Sequence, residues 1–356
     1  MASDAGTESK SHNSGSPSID GGAVPSFQQD PDLWFEDGSI VVVAQNTGYR
    51  VHTSLLSRLS PIFRDMIAIP VPRNEHTVQG APIVYVPDSA HDMGCLLRAV
   101  YEPRRHLNDN EADIPFARIA ALMRLGHKYE MPDIVNEAAR HLEEHFIINF
   151  NTWMDYCDDE RSSGLELSED RAADYVEAVN LARLTGKLAS LPLALYSCCH
   201  LRIPELLHGV ERGCGDIVRL SSEDTERCIR GREGLLRASS AFLDVIRSTS
   251  RQGPRQSCES EEKCAEELDK LMESASQMAG SYLTTEFLSG SKPLQSIKWD
   301  RAWHGICYDC RSSLASSYRV YQRMAWDDLL IILNLSADDL GISWPGPNPL
   351  WGMEMD

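Results

Sequence analysis

The sequence predicts an α+β N-terminal domain followed by a mostly α-helical C-terminal region. Three observations carry that expectation. Across residues 37–66 the apolar period changes from that of a hairpin to that of a helix. Beyond residue 165 apolar residues recur at helical spacing. The hydrophobic content of 42% over 356 residues suffices for packed cores rather than a disordered chain.

Residues 1–30 are rich in Ser, Gly and Asp and read as a disordered tail, with the first domain over 31–150. Ile40-Val41-Val42-Val43 is a β-branched run, Asn46-Thr47-Gly48 is turn chemistry, and Tyr49-Arg50-Val51 alternates as a returning strand does. Leu55, Leu56, Leu59, Ile62 and Phe63 then fall at helical spacing. Pro61 should break that run near Ser60 and open a fresh turn. Residues 69–80 read as a loop and Ile83-Val84-Tyr85-Val86 as a strand. Asp88-Ser89 offers an N-cap for a helix carrying Met93, Leu96, Leu97 and Val100. Residues 101–114 form a surface loop. Pro115 opens the next helix, striped by Ile119, Leu122, Met123 and Leu125, and Pro132 opens another running to about Phe146.

These residues resemble a BTB/POZ domain. The likeness lies in Asp37, the apolar strand, Tyr49-x-x-His52, Leu55-Leu56, Ser60, Phe63 and Met66. It continues through residues 75–88 and Leu96-Leu97-x-x-Val100-Tyr101, and ends with the helix pair over 116–146. With Leu33-Trp34-Phe35-x-Asp37-Gly38 in front, it is similar to the BTB proteins numerous in basidiomycete fungi. The resemblance implies a non-enzymatic interaction module that homodimerises, binds partner proteins or recruits a cullin ubiquitin-ligase scaffold. Two departures stand out. Thr53 occupies a position commonly basic in the family, and residues 1–30 show no counterpart of the family's dimer-swapping helix.

A polar gap at 157–164 leads to a helical extension over 165–250. Ser168-Glu169-Asp170 caps a helix carrying Tyr175, Val176, Val179, Ala182 and Leu184, with Gly186 as its stop. Residues 188–201 are apolar all round and predict a buried helix, so Cys198-Cys199-His200 reads as core. Residues 204–207 are a turn and 210–218 a loop, after which Ser221-Ser222-Glu223-Asp224 caps a long helix. The C-terminal region, 251–356, opens with a linker over 251–260 and continues with helices over about 263–288 and 311–333. No internal repeat is evident, which argues against a kelch propeller or an ankyrin array.

The net charge of −19, from 34 basic and 53 acidic residues, repels phosphate backbones and disfavours direct nucleic-acid binding. No apolar run reaches the ~18 residues a membrane span needs. The N-terminus has no signal-peptide core, so the ten cysteines are expected as reduced thiols in an intracellular protein.

Cys258-x5-Cys264 and Cys307-x2-Cys310 are candidate ligands for a structural zinc ion, since two close thiol pairs separated by a helix can converge on one tetrahedral ion. His304 is an alternative fourth ligand. A cysteine pair followed by C-x2-C is also a feature that the resemblance to the fungal BTB proteins implies. His141-Leu142-Glu143-Glu144-His145 matches H-x-x-E-H, a zinc-peptidase pattern with Glu144 as base. It lies on the last helix of the first domain, where histidines are ordinarily bystanders. His52 is expected to pack or hydrogen-bond at the hairpin–helix junction. Ser289-x-x-Lys292 lacks the companion motifs of a penicillin-binding site. The acidic run Glu259-Ser260-Glu261-Glu262 reads as a solvated face or a docking surface.

Overall fold

A computed structural model describes residues 27–69, 77–107, 113–159, 164–212, 215–252, 258, 260–277, 285–290 and 301–346. Residues 1–26 of the tail expected over 1–30, most of the 69–80 loop, Glu259, Lys292 and residues 347–356 lie outside the described residues.

The N-terminal sheet has strands β1 (Gln28–Trp34), β2 (Ile40–Ala44), β3 (Thr47–Val51), β4 (Thr77–Val78) and β5 (Ala81–Val86), in the order β1-β3-β2-β5-β4. β2 is central, antiparallel to β3 and parallel to β5. All five of its residues are at most 1% exposed, because both faces are covered. Ile40, Val42 and Ala44 join the main core, while Val41 and Val43 pack with Ala81 and Ile83 under Phe27, Trp34 and Val78. That is why the strand reads as a continuous apolar run rather than an alternating one.

The first strand begins earlier than residue 31. Pro31 sits within β1, at the sheet edge, where a missing N–H is tolerated. β1 runs parallel to β3, and Phe27 lies over Gly48 so closely that a Cβ there would come within 2.3 Å of its ring.

Helices α1 (Thr53–Leu59) and α2 (Pro61–Ala68) meet at Ser60 as the sequence implies. The Ser60 hydroxyl accepts from the Phe63 amide (3.0 Å) and donates to the Tyr129 carbonyl (2.6 Å), and Phe63 stacks on Tyr129 at 4.4 Å. Ser89 caps α3 (Ala90–Tyr101) through the Asp92 amide. The expected 101–114 loop contains a short helix, α4 (Pro103–Leu107). Helices α5 (Phe116–Lys128), α6 (Pro132–His145) and α7 (Phe150–Asp159) follow. The last of these occupies part of the expected polar gap, because Phe150, Trp153 and Met154 bury one face and the Asn149 side chain caps Thr152. Two short strands, β6 (Ile114–Pro115) and β7 (Leu165–Glu166), pair in parallel across that region.

Helix α8 (Arg171–Thr185) is capped by Asp170 and ends at Gly186, whose φ of +69° is left-handed. A 3-10 turn at Leu188–Ser190 leads into α9 (Leu191–Cys198), buried on every side. Then come α10 (Ile203–His208), a hairpin of β8 (Val210–Glu211) and β9 (Ile217–Val218) where a loop was expected, and α11 (Ser222–Gln252). The chain continues through α12 (Glu261–Gln277), α13 (Arg301–Gly305), α14 (Tyr308–Asp327), α15 (Leu329–Ile332) and α16 (Ala337–Leu340).

The helical region is not a separate body hung on a linker. One apolar core runs from Leu33 to Leu340, with α8 on α5, α9 on α8, and α14 on α11. At the seam the carboxylate of Glu177, 5% exposed, is held between Arg124 of α5 and Arg212 of the hairpin, and Arg124 also meets Asp92 at 2.9 Å.

Candidate metal centre

The four cysteines singled out in the sequence come together. The Sγ atoms of Cys258, Cys264, Cys307 and Cys310 all lie within 4.8 Å of one another. Local structure explains how each is positioned. Cys264 lies in the first turns of α12, with its amide bonded to the Ser260 carbonyl, and Cys258 lies just before that helix. Cys307 is the N-cap of α14 and Cys310 lies in its first turn. Both thiol pairs therefore sit at helix N-termini, whose positive end favours thiolates. α12 packs on α13, which brings the two ends side by side.

The Sγ atoms of Cys258 and Cys307 are 3.8 Å apart, too far for a disulfide. A tetrahedron with Zn–S bonds of about 2.3 Å has sulfur–sulfur edges of about 3.8 Å, so this separation fits a shared ion. The Cys307 amide donates to Cys264 Sγ at 3.2 Å, a bond that favours the thiolate. Cys264 and Cys310 are buried, and burial raises the pKa of both thiols, most strongly for Cys310. A dication beside them reverses that balance by stabilising the deprotonated form. Such a donor set, all thiolate and largely closed to water, suits a structural rather than a catalytic ion. His304 is exposed and stands outside the group.

The other candidates find structural roles. His141 and His145 are buried, but among the described residues they do not converge with Glu144 on a possible metal position. Glu144 instead pairs with Arg140 at 2.5 Å, and His145 packs edge-on against Phe146 and Tyr156. Burial, and then Arg171, pushes the His145 pKa down to about 4, so it is neutral in the fold. His52 joins the hairpin to α3. Its Nδ1 meets the Tyr101 hydroxyl at 2.8 Å and its Nε2 meets Asp37 at 3.2 Å, while its amide donates to Tyr101 at 2.9 Å. Thr53 bonds to Ser39 through both its amide and its hydroxyl. Cys198 and Cys199 are wholly buried beside Cys228. Ser289 bonds to the Tyr196 hydroxyl at 3.0 Å. Of the acidic run, Glu261 and Glu262 are exposed in the first turn of α12.

Sequence reasoning missed one cluster of polar contacts, in which side chains of α7, α9 and α14 converge on residues 285–290. Nothing local marks it, since the partners are separated by up to 135 positions. Among the described residues no helix is long and apolar enough to cross a membrane.

Residues 36–146 match the BTB/POZ domain family. No curated protein and no solved structure matches the chain.

Proposed function

Because residues 36–146 form a BTB/POZ domain, a protein-interaction fold, we propose that this chain is a non-enzymatic scaffold with two working parts. The BTB platform self-associates or binds partner proteins. The C-terminal helices, registered by a zinc ion on Cys258, Cys264, Cys307 and Cys310, present a second surface. The convergence of the four sulfurs within 4.8 Å is the observation that carries the zinc assignment. Its physical effect is to close the loop between Cys264 and Cys307, 43 positions apart. By the loop-entropy relation for cross-links, closure of that length contributes about 4 kcal/mol. The ion supplies cross-linking without redox chemistry.

Light scattering combined with metal analysis on the purified chain tests both parts. The expected result is a dimer carrying one zinc per chain, with four thiols that titrate only after chelation. Sub-stoichiometric zinc with four freely titrating thiols removes the metal assignment, and a monomer mass removes self-association.

A second reading, a substrate adaptor for a cullin-type ligase, is favoured by the seam at Glu177. The helical extension packs directly on the BTB domain through α5 and α8, so the two form one continuous platform. Pull-down with a cullin-3-type scaffold at micromolar concentration should capture the chain, and no association there excludes this reading.

A further inference from the structure

Zinc has no redox chemistry of its own, but the sulfurs placed to hold it do. The four thiols of the cluster are not equally open to water. Cys264 and Cys310 are 0% and 5% exposed, whereas Cys258 and Cys307 are half-buried. The helix ends that carry them lie at the surface. Ser260, Glu261, Glu262 and Lys263 are exposed at the start of α12, and Tyr308 and Asp309 at the start of α14. A small oxidant from solvent therefore meets two of the four sulfurs first.

Those two sulfurs are also neighbours. Cys258 Sγ and Cys307 Sγ stand 3.8 Å apart. A disulfide needs about 2.05 Å, so each sulfur would have to move by only about 0.9 Å, which side-chain rotation can supply. An exposed thiolate poised beside a second one is the arrangement that reversible thiol oxidation favours.

The two come from different thiol pairs, one before α12 and one at the N-cap of α14. A bond between them spans 49 positions, against 43 for the contact of Cys264 with Cys307. Loop entropy changes slowly with length, so the disulfide would limit the unfolded chain to about the same extent as the metal. Oxidation would thus exchange one cross-link for another rather than open the whole region. It would undo the hold on Cys264 and Cys310, because two remaining thiols are half of a tetrahedral site.

We propose that the thiol cluster is a hydroperoxide-responsive switch, in which oxidation joins Cys258 to Cys307, expels the zinc and frees the first turns of α12 from the cluster. This rests on the zinc assignment above and adds which two sulfurs react. One of the half-buried sulfurs, a thiolate while coordinated, attacks the hydroxyl oxygen of the hydroperoxide. The O–O bond breaks, an S–O bond forms, and the departing alkoxide or hydroxide takes a proton from water. The second sulfur attacks the sulfenic sulfur, an S–S bond forms and hydroxide leaves. The two sulfurs together lose two electrons, and the peroxide gains them. Cys264 and Cys310 release the ion and each takes up a proton.

The test uses the zinc-loaded full chain and hydrogen peroxide, with a chromogenic chelator too weak to strip the untreated protein. Metal content is measured before the oxidant is added, and cysteines are mapped afterwards by mass spectrometry of an alkylated digest. One zinc per chain should be released together with a Cys258–Cys307 disulfide, while Cys264 and Cys310 remain open to alkylation. Dithiothreitol followed by zinc should restore the starting metal content. Hydrogen exchange of the oxidised chain should show lost protection in the first turns of α12 and unchanged protection in α5. Cys95 and Cys157 are the other half-buried thiols among the described residues, and Cys95→Ser/Cys157→Ser should release zinc at the wild-type rate. Zinc that stays bound while Cys95 or Cys157 oxidises overturns the switch and leaves the metal assignment standing. So does a bond mapped to Cys307–Cys310 or Cys258–Cys264, a sulfinic acid in place of a disulfide, or an α12 that keeps its protection after the zinc has left. A chain that holds no zinc before oxidation and takes none up defeats the metal assignment, and the switch with it.

Discussion

Helices α5 and α12 show two ways of holding a helix in place. In α5, eight of thirteen residues are buried, between α3, α6 and α8. In α12, the described buried side chains form a single row, Cys264, Leu268 and Leu271. The first helix is fixed by apolar area removed from water, at roughly 25 cal/mol per Å². In the second, the described row begins with a thiol that belongs to the four-sulfur cluster. A metal held by that cluster, as proposed above, would add a cross-link that limits the unfolded chain.

The sharpest way to break the comparison is to remove ligands from the cluster. Cys264→Ser/Cys310→Ser should release the metal and strip hydrogen-exchange protection from α12 and α13 while β2 stays protected. Structural zinc contributes on the order of 10 kcal/mol in small modules, so the local loss should be near complete. Retained protection in α12 would mean its apolar row suffices.

The seam between the regions comes next. Glu177→Gln leaves Arg124 and Arg212 facing a neutral group at a buried position. Removing one partner of a buried pair costs about 3–5 kcal/mol, and the lower end applies because both arginines reach water. Urea unfolding should show both regions weakened together, and a change confined to one region would show that the seam does not couple them.

Acid should act at the same junction through His145. Its folded pKa of about 4 lies below the ordinary value of 6.5, so between these values the unfolded chain binds more protons than the folded one. Stability is therefore unaffected above about pH 6.5 and falls as pH drops toward 4, by up to about 3 kcal/mol. Denaturant midpoints from pH 7 to 4 check this, and His145→Gln should flatten the slope.

The smallest effect should come from within the densely packed domain. Ser60→Ala removes the cap on Phe63 and the donor to Tyr129, at a cost of about 1–2 kcal/mol with the fold retained. A larger loss would show that apolar packing holds α2 less firmly than its burial implies.

Features governed by neighbouring residues were legible beforehand. Ser60-Pro61, Ser89, Asp170 and Gly186 begin or end helices where their chemistry dictates, because caps act over three or four positions. β1, whose residues 28–30 fall in the expected tail, has no local signal because its partner is β3, reached by parallel pairing that no local pattern announces. The hairpin of β8 and β9 has two residues per strand, too short for a period to show. α7 was missed although Phe150, Trp153, Met154 and Cys157 fall at helical spacing after an Asn cap, since the polar residues beyond them drew the boundary too early.

The sequence by itself determined the BTB/POZ domain, expected over 31–150 and matched over 36–146, and which four cysteines were candidates for one site. Turn chemistry, caps and apolar period act within a few residues, so a linear reading recovers them. Only the tertiary structure decided that the four sulfurs meet, that His145 packs edge-on against Phe146 and Tyr156, and that side chains of three helices converge on residues 285–290. Those outcomes depend on how α7, α9, α12, α13 and α14 stack, and stacking is set by burial summed over the whole core rather than by any one stretch of chain.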